Sequence, residues 1–453
     1  MVIMPESLPR IKLFLKPVGL NKAATAMLVR WIAAFILHFG AMSASQAAGA
    51  IRTDSRHRAQ MCRSLGRKFW NKYQPTDAIR NVLLAMESQR GRFIFILDQT
   101  LCGHQGKKTQ NTYSTGNRKR RPRKGRRYNK YKYAPKRCHC FVMGLLITPS
   151  GYRIPFNKSF YTKEFCSESQ RAFQKQTDLA ADLIRELPVP EGAEVVVLGD
   201  TAFEAKNIRQ ACQDRHFTWI VPLNSERVLE GPKPRSKVRS LVSDFTPGQF
   251  TPIRLHPGKG NLAVYRRVSS CRMGSKMKPR TYYVHQERRV VHSIGEVQLI
   301  FSTTKRPTEA GKFTEGKILV TGNLKLTKRE LVELYDLRWQ IELFFKELKS
   351  TLGFDNYRFE KFACVEQWVE MTLLTFIYLE WHRAKELHRR DAPEDDLKWW
   401  RAQRTHGLCQ AIRQATDTAD LQVIAERLKT PSGIRRLKRQ LKNSYPLEYR
   451  SKT

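Results

Sequence analysis

The chain has 453 residues, of which 41% are hydrophobic, 10% aromatic and 27% charged, with a mean hydropathy of −0.52. That is room for about three domains, and the composition excludes a multispan membrane protein, a collagen and a wholly disordered chain. Lysine and arginine number 82 against 41 acids, a formal charge of +41 that calls for a polyanionic partner, with nucleic acid first in line.

Near the N-terminus, Trp31 to Met42 is apolar and Ser43-Ala44-Ser45 has the look of a signal-peptidase site. Arg30 and His38 interrupt the stretch, which falls short of the ~20 clean residues that cross a bilayer. A buried helix over Ala24–Phe39 is expected instead, broken at Gly40 and followed by a second helix from Ser43 to Ile51. The pair reads equally as a helix-turn-helix or as an ordinary hairpin. Residues 1–85 are therefore expected to be a helical N-terminal DNA-binding domain.

Farther on, the hydrophobic period changes. Phe93-Ile94-Phe95-Ile96-Leu97 is a short continuous run of β formers, the pattern of a strand buried on both faces, and it ends in Asp98. Val195-Val196-Val197-Leu198-Gly199 behaves likewise and leads into Asp200. Between them CHCFVMGLLIT and YRIPFNKSFYT predict a hairpin turning at Pro149-Ser150-Gly151. A helix over Ser167–Leu187 is expected next, opened by a capping box of Ser167 with Gln170. Ala205–Arg215 reads as a helix and Phe217–Leu223 as a fifth strand, so the class is α/β with two carboxylates at the carboxyl ends of strands, where such sheets bind ligands.

Nine cysteines, an odd number at irregular spacings, do not make a secreted disulfide framework and fit a reducing cytoplasm. Cys138-His139-Cys140, with Cys102 and His104, offers four soft ligands for zinc. Period two puts Cys138 and Cys140 on one face of an apolar strand, however, and packing is the expected role.

Lys107 to Arg137 carries 14 lysines and arginines and no acid, with Tyr113, Tyr128, Tyr131 and Tyr133 interleaved. Self-repulsion keeps such a stretch from packing, and it suits a DNA-contacting arm in which Arg120, Arg121, Lys124, Arg126 and Arg127 neutralise phosphates and tyrosines stack on unpaired bases. Residues 225–316, rich in proline, glycine and basic residues, contain strand-like runs at Phe250–Leu255, Leu262–Ser269, Thr281–His285 and Val297–Ser302, which together read as a β insertion. Lys317–Thr321 returns to a strand, and a long helix is expected from about Lys328 after turn and cap residues Asn323 and Thr327.

On that helix, at ~100° per residue, Tyr335, Arg338, Glu342 and Lys349 fall within ~60° of one another beside an apolar stripe of Leu334, Leu337, Ile341, Phe344, Phe345 and Leu348. Glu333, Asp336 and Glu347 are expected on the far side, so Glu342 is the acid able to reach Asp98 and Asp200. Taken alone, four polar residues on a helix face are more often merely solvated; two strand-borne aspartates change that reading. Three carboxylates suit Mg²⁺, a hard cation with oxygen ligands, and two such ions about 3.5–4 Å apart can drive an in-line phosphoryl displacement.

YDLRWQIELFFKELK carries Tyr-x2-Arg-x3-Glu-x6-Lys over Tyr335, Arg338, Glu342 and Lys349. This resembles the Y-R-E-K signature of bacterial insertion-sequence DDE transposases of the IS4-like group, which have a β-strand insertion before the catalytic helix. With LDQT around Asp98 and LGDTAF around Asp200, the likeness extends over roughly residues 90 to 385. It implies an RNase H-like (retroviral integrase-like) catalytic core with helical N- and C-terminal regions. The implied reaction is Mg²⁺-dependent nicking at transposon ends, with Mn²⁺ as a substitute metal, and joining of the freed 3′ hydroxyl to target DNA. By position, Asp98, Asp200 and Glu342 become the acidic triad and the ligands of two metal ions. Tyr335, Arg338 and Lys349 become contacts to terminal phosphates or bases, and Trp339 follows the arginine as it often does in relatives. Some well-known relatives carry Arg-Glu-Met after the second Asp where this chain has Thr201-Ala202-Phe203. Relatives that form DNA hairpins also use an insertion tryptophan to hold a flipped base; here the insertion has none, leaving Tyr265, Tyr282 or Tyr283 as substitutes.

The resulting division is 1–85, 86–224 for the first part of the core, 225–316 for the insertion, 317–385 for the second part of the core, and a helical 386–453. CVEQWVEMTLLTFIYLEW is expected to pack on the core, with Leu408–Leu428 and a basic end from Arg435 beyond it. The expected partners are inverted-repeat ends and target DNA, with a homodimer in the synaptic complex, no membrane, and a cytoplasmic, nucleoid-associated location. The rival readings are a catalytically silent DNA-binding repressor or domesticated transposase, and an RNase H-like nuclease without strand joining.

Overall fold

Five helices precede the sheet in the computed structural model: α1 (Pro9–Leu15), α2 (Lys22–Leu37), α3 (Ala44–Ala50), α4 (Ser55–Ser64) and α5 (Pro75–Ala85). The structure describes residues 9–38, 43–50, 55–67, 74–88, 90–103, 106, 108–113, 137–231, 236–256, 262–266, 279–309, 313 and 316–444. The Asn21 side chain caps α2 by accepting from the Ala24 amide. Leu28, Trp31, Ile32 and Phe35 are buried, and the Trp31 and Phe35 rings lie 6.1 Å and 5.0 Å from that of Trp368. The apolar helix read over Ala24–Phe39 is thus a core element packed against the later helix that bears Trp368, with Lys22, Ala23 and Ala26 of its first turns exposed.

The sheet is built from β1 (Phe93–Gly103), β2 (Cys138–Ile147), β3 (Arg153–Ser159), β4 (Val195–Leu198), β5 (Thr218–Pro222), β6 (Thr251–Leu255), β7 (Arg280–Val291), β8 (Gly295–Thr303) and β9 (Lys317–Thr321). Its strand order is β3-β2-β1-β4-β5-β9-β8-β7-β6. β1 and β4 are parallel neighbours buried by their apolar runs, and β2 and β3 form the expected hairpin. Gly144 on β2 faces the Phe95 ring so closely that a Cβ would sit 2.3 Å from it. The insertion strands do not form a separate layer: β9 pairs with β5, and β8, β7 and β6 continue the same sheet edge.

Between β3 and β5 lie α6 (Lys163–Ser169), α7 (Gln176–Arg185) and α8 (Lys206–Asp214). The single helix read over Ser167–Leu187 is therefore two helices. Thr162 caps α6 by accepting from the Phe165 amide, Ser167 bonds back to Lys163 O inside α6, and Gln170 closes it in the left-handed region at φ 53°. Gln170 to Lys175 has no helical apolar period with which to bind the sheet, and the chain leaves the helix there. The strand expected at Leu262–Ser269 is a short 3₁₀ turn at Ala263–Tyr265, with residues 267–269 outside the described set.

The long helix expected from Lys328 is also two, α9 (Lys328–Asp336) and α10 (Trp339–Leu352). Thr327 and Glu330 form a capping box at its start. At the junction Leu337, Arg338 and Gln340 donate to carbonyls three residues back, tightening the turn, while Leu337 and Arg338 stay in the right-handed helical region. The polar stripe consequently survives the break.

α11 (Phe362–Leu387) runs through the protein, followed by α12 (Glu394–Ala402), α13 (Thr405–Leu428) and α14 (Pro431–Ser444). By length and composition α11 passes for a membrane span, but 83% of its apolar window is buried inside the protein. It carries charge into the core: Arg153 donates to Glu347 at 3.0 Å and to Glu380 at 3.3 Å, and Arg383 pairs with Glu380 at 3.1 Å. Glu347, expected on the far side of its helix, is a buried ion-pair member that also accepts from the Thr405 hydroxyl at the start of α13.

Candidate active site

β1 outruns its parallel neighbour. The two pair from Phe93 with Val195 to Ile96 with Leu198, and the same register carried two residues past the end of β4 brings Asp200 level with Asp98. Asp98 lies inside β1, five residues short of its end, and not at the strand terminus that the apolar run suggested. Its Oδ1 accepts from the Gln99 amide at 2.7 Å. Asp200 caps the 3₁₀ turn Thr201–Phe203, with Oδ1 accepting from the Ala202 amide at 2.9 Å.

Glu342 comes from the first turns of α10, four residues after Arg338. The Arg338 guanidinium lies between acids: Nη1 is 3.6 Å from Asp98 Oδ2, and Nη2 donates to Glu342 Oε1. Burial pushes the Asp98 carboxyl up to about 6; the Gln99 amide and Arg338 oppose the rise, whereas the charges of Asp200 and Glu342 add to it. The three sequence-predicted carboxylates are therefore brought within electrostatic reach of one another, with Arg338 as their internal counter-ion. Among the described residues no three acidic, histidine or cysteine side chains converge tightly enough to hold a metal ion. The donor set itself, all carboxylate oxygen around an acid short of positive charge, is chemically matched to a hard divalent ion once Arg338 moves aside.

Tyr335, at the C-terminal end of α9, is 9% exposed, and burial pushes its hydroxyl up to about 12. It separates two cavities of about 300 Å³ and 310 Å³. Asp200, Thr201, Ser225, Lys317 and Arg338 line the first; Tyr282, Lys317, Asp336, Arg338 and Trp339 line the second. Trp339 is 55% exposed there. Asp336, expected to project away from the site, instead accepts from Arg266 and Tyr282 of the insertion, each at 3.0 Å. Of the insertion tyrosines, Tyr265 is a packing residue, buried and bonded to the Arg92 carbonyl, while Tyr282 opens onto the second cavity. Lys349 donates to Leu101 O at 2.9 Å, which holds it against the far part of β1.

Arg120, Arg121, Lys124, Arg126 and Arg127 lie outside the described residues, as do Tyr128, Tyr131, Tyr133 and His104. The two feet of the basic segment are joined beside the β1–β2 end, where Tyr113 and Cys138 exchange backbone hydrogen bonds. Cys138 and Cys140 are buried strand residues, and His139 is engaged on one ring nitrogen by Tyr357 at 2.9 Å and on the other by Gln110 O at 2.8 Å.

Two features escaped the sequence. Glu204, behind the Asp200 turn, is buried against Arg209 and Arg227, tying that turn to the start of the insertion. Lys317, the first residue of β9, borders both cavities. Neither belongs to a local pattern; only the strand order brings them to the site.

A family model described as "Transposase DDE domain" matches residues 89–378, well over half the chain. No curated protein matches it.

Proposed function

The chain belongs to the transposase DDE-domain family, and from that premise we propose that it is the transposase of an IS4-like bacterial insertion sequence. In this reading it cuts DNA at the element's ends and joins the freed 3′ hydroxyl to target DNA. The observation that carries the reading is Asp98 on β1 level with Asp200, just past the end of its parallel neighbour β4, with Glu342 delivered from α10 close enough for Asp98 to feel its charge. Asp98, Asp200 and Glu342 would hold two Mg²⁺ ions, or Mn²⁺ in their place. Bound there, the metal supplies activation of the attacking hydroxyl and stabilisation of the leaving oxygen. Asp98 must be ionised to take part, which its carboxyl, pushed up to about 6, permits at neutral pH.

The remaining residues bind and orient DNA. Arg338 leaves the acids for a terminal phosphate, since a guanidinium fork matches phosphate oxygens as well as carboxylates. Tyr335 walls the strand's path, Lys349 binds a phosphate near the end of β1, and Trp339 with Tyr282 offers aromatic faces to an unpaired base in the second cavity. The basic segment containing Arg120, Arg121, Lys124, Arg126 and Arg127 departs from the same end of the sheet and supplies sequence-independent affinity. The strand order β3-β2-β1-β4-β5 supports an RNase H-like core over 86–224 and 317–385, with 225–316 inserted. Cutting two ends calls for two such sites, hence a homodimer in the synaptic complex. The test is to incubate protein, Mg²⁺, labelled element ends and a target plasmid. Joined products are expected; cutting without joining would mark a nuclease, and binding without cutting a repressor.

A further inference from the structure

We propose that Lys317 is a further phosphate-binding residue of the site, taking a phosphodiester of DNA bound along the cleft that its two cavities share. The inference rests on the transposase reading and adds a residue outside the Tyr335, Arg338, Glu342, Lys349 signature.

The basis is charge pairing. Arg338 holds Asp98 and Glu342, Arg266 holds Asp336, Lys349 bonds Leu101 O with Asp355 at 4.0 Å, and Arg280, which lines the second cavity, bonds the Tyr282 hydroxyl. The Lys317 ammonium has no carboxylate partner among the described residues and lies 5.6 Å from the centre of the Tyr335 ring. Lys317 borders the cavity containing Asp200 and the cavity containing Trp339, so an anion it binds lies on the route between them. The side chain is exposed overall, yet partial desolvation in the cleft, with Arg338 adding to it and the more distant charge of Glu342 opposing it, holds its pKa below the ordinary lysine value. A cation with no carboxylate in ion-pairing contact, desolvated and facing a second cation, gains from a ligand that brings further negative charge. DNA brings one such charge per nucleotide.

As the strand's first residue, Lys317 is also well fixed. It pairs with Ser302 of β8, and two residues farther on β9 is also paired with β5, so its position is set by the sheet.

The experiment measures binding of a labelled duplex copied from the element's end as salt is raised from roughly 50 to 200 mM, for wild type, Lys317→Ala, Lys317→Gln and Lys317→Arg. Each lost phosphate contact on duplex DNA lowers the salt slope by ~0.9, so the ratio of variant to wild-type Kd is expected to fall about threefold across that range. Lys317→Ala and Lys317→Gln should both behave this way, and Lys317→Arg should keep the wild-type slope. Salt lines for Ala and Gln that run parallel to wild type, with end binding and nicking by wild type intact, overturn the Lys317 assignment alone. Failure of the wild type itself to bind and nick overturns the transposase reading and this inference with it. If Lys317→Ala fails to fold, Lys317→Gln decides.

Discussion

Replacing Arg338 by Gln isolates the internal counter-ion. In the DNA-free protein the guanidinium lies 3.6 Å from Asp98 Oδ2 and also bonds Glu342, so a metal ion must displace it from the same oxygens. Unit charges at that distance attract by roughly 4–5 kcal/mol at an effective dielectric of ~20, before desolvation is subtracted. The net worth of a charge-assisted hydrogen bond is ~1.5–3 kcal/mol. The Glu342 side chain is 35% exposed, which puts the expectation at the lower end of that range. At 1.4 kcal/mol per factor of ten, Arg338→Gln should tighten divalent-ion binding to the DNA-free protein by about tenfold. Mn²⁺ titration followed by electron paramagnetic resonance at pH 8, where Asp98 is ionised in both proteins, reads this directly. The same variant should bind element ends more weakly, having lost its phosphate ligand. Mn²⁺ affinity that is unchanged or reduced in Arg338→Gln would refute the competition.

Further outcomes follow from the same structure. Because the folded Asp98 carboxyl is raised to about 6 from its ordinary value of 3.8, its contribution is most favourable at low pH and is lost as pH rises from about 4 through 6. In the metal-free protein, Asp98→Asn should therefore gain on the order of 2 kcal/mol relative to wild type between pH 4 and pH 7.5, measured by urea unfolding at both pH values; a pH-independent difference would contradict the assigned burial. Arg153→Met should destabilise by roughly 3–5 kcal/mol, since it leaves Glu380, with a side chain 1% exposed, short of a partner, and a midpoint within error of wild type in urea would remove that cluster from the account. Lys349→Ala should weaken binding of a labelled end in a gel-shift assay while Glu342→Gln leaves it intact; equal losses would show the two roles misassigned.

Much of the site was legible because each aspartate follows an apolar run of the kind that only a doubly buried strand needs, as in Phe93–Leu97 and Val195–Leu198. Glu342 was legible from helical period, and its stripe outlasted the α9–α10 break because Arg338 remains helical there. The break itself was hidden, since bonds to carbonyls three residues back leave the apolar spacing almost unchanged. The burial of Glu347 was not legible, because a glutamate on an amphipathic helix resembles a solvated one until its partner is known, and Arg153 is 194 residues away. The continuation of the sheet through β9, β8, β7 and β6 was equally hidden, because short strands in a polar, proline-bearing segment do not say which edge they will join. Lys317 went unnoticed for the same reason: its significance depends on β9 lying between β5 and β8.

The central claim is that three carboxylates act together on DNA in a metal-dependent step. Nicking of a labelled element end in Mg²⁺ by wild type, Asp98→Asn, Asp200→Asn and Glu342→Gln tests it most directly, with end binding measured in parallel. The account predicts near wild-type binding and no detectable nicking in each of the three variants. Nicking that persists in any of them at a rate close to wild type would contradict it.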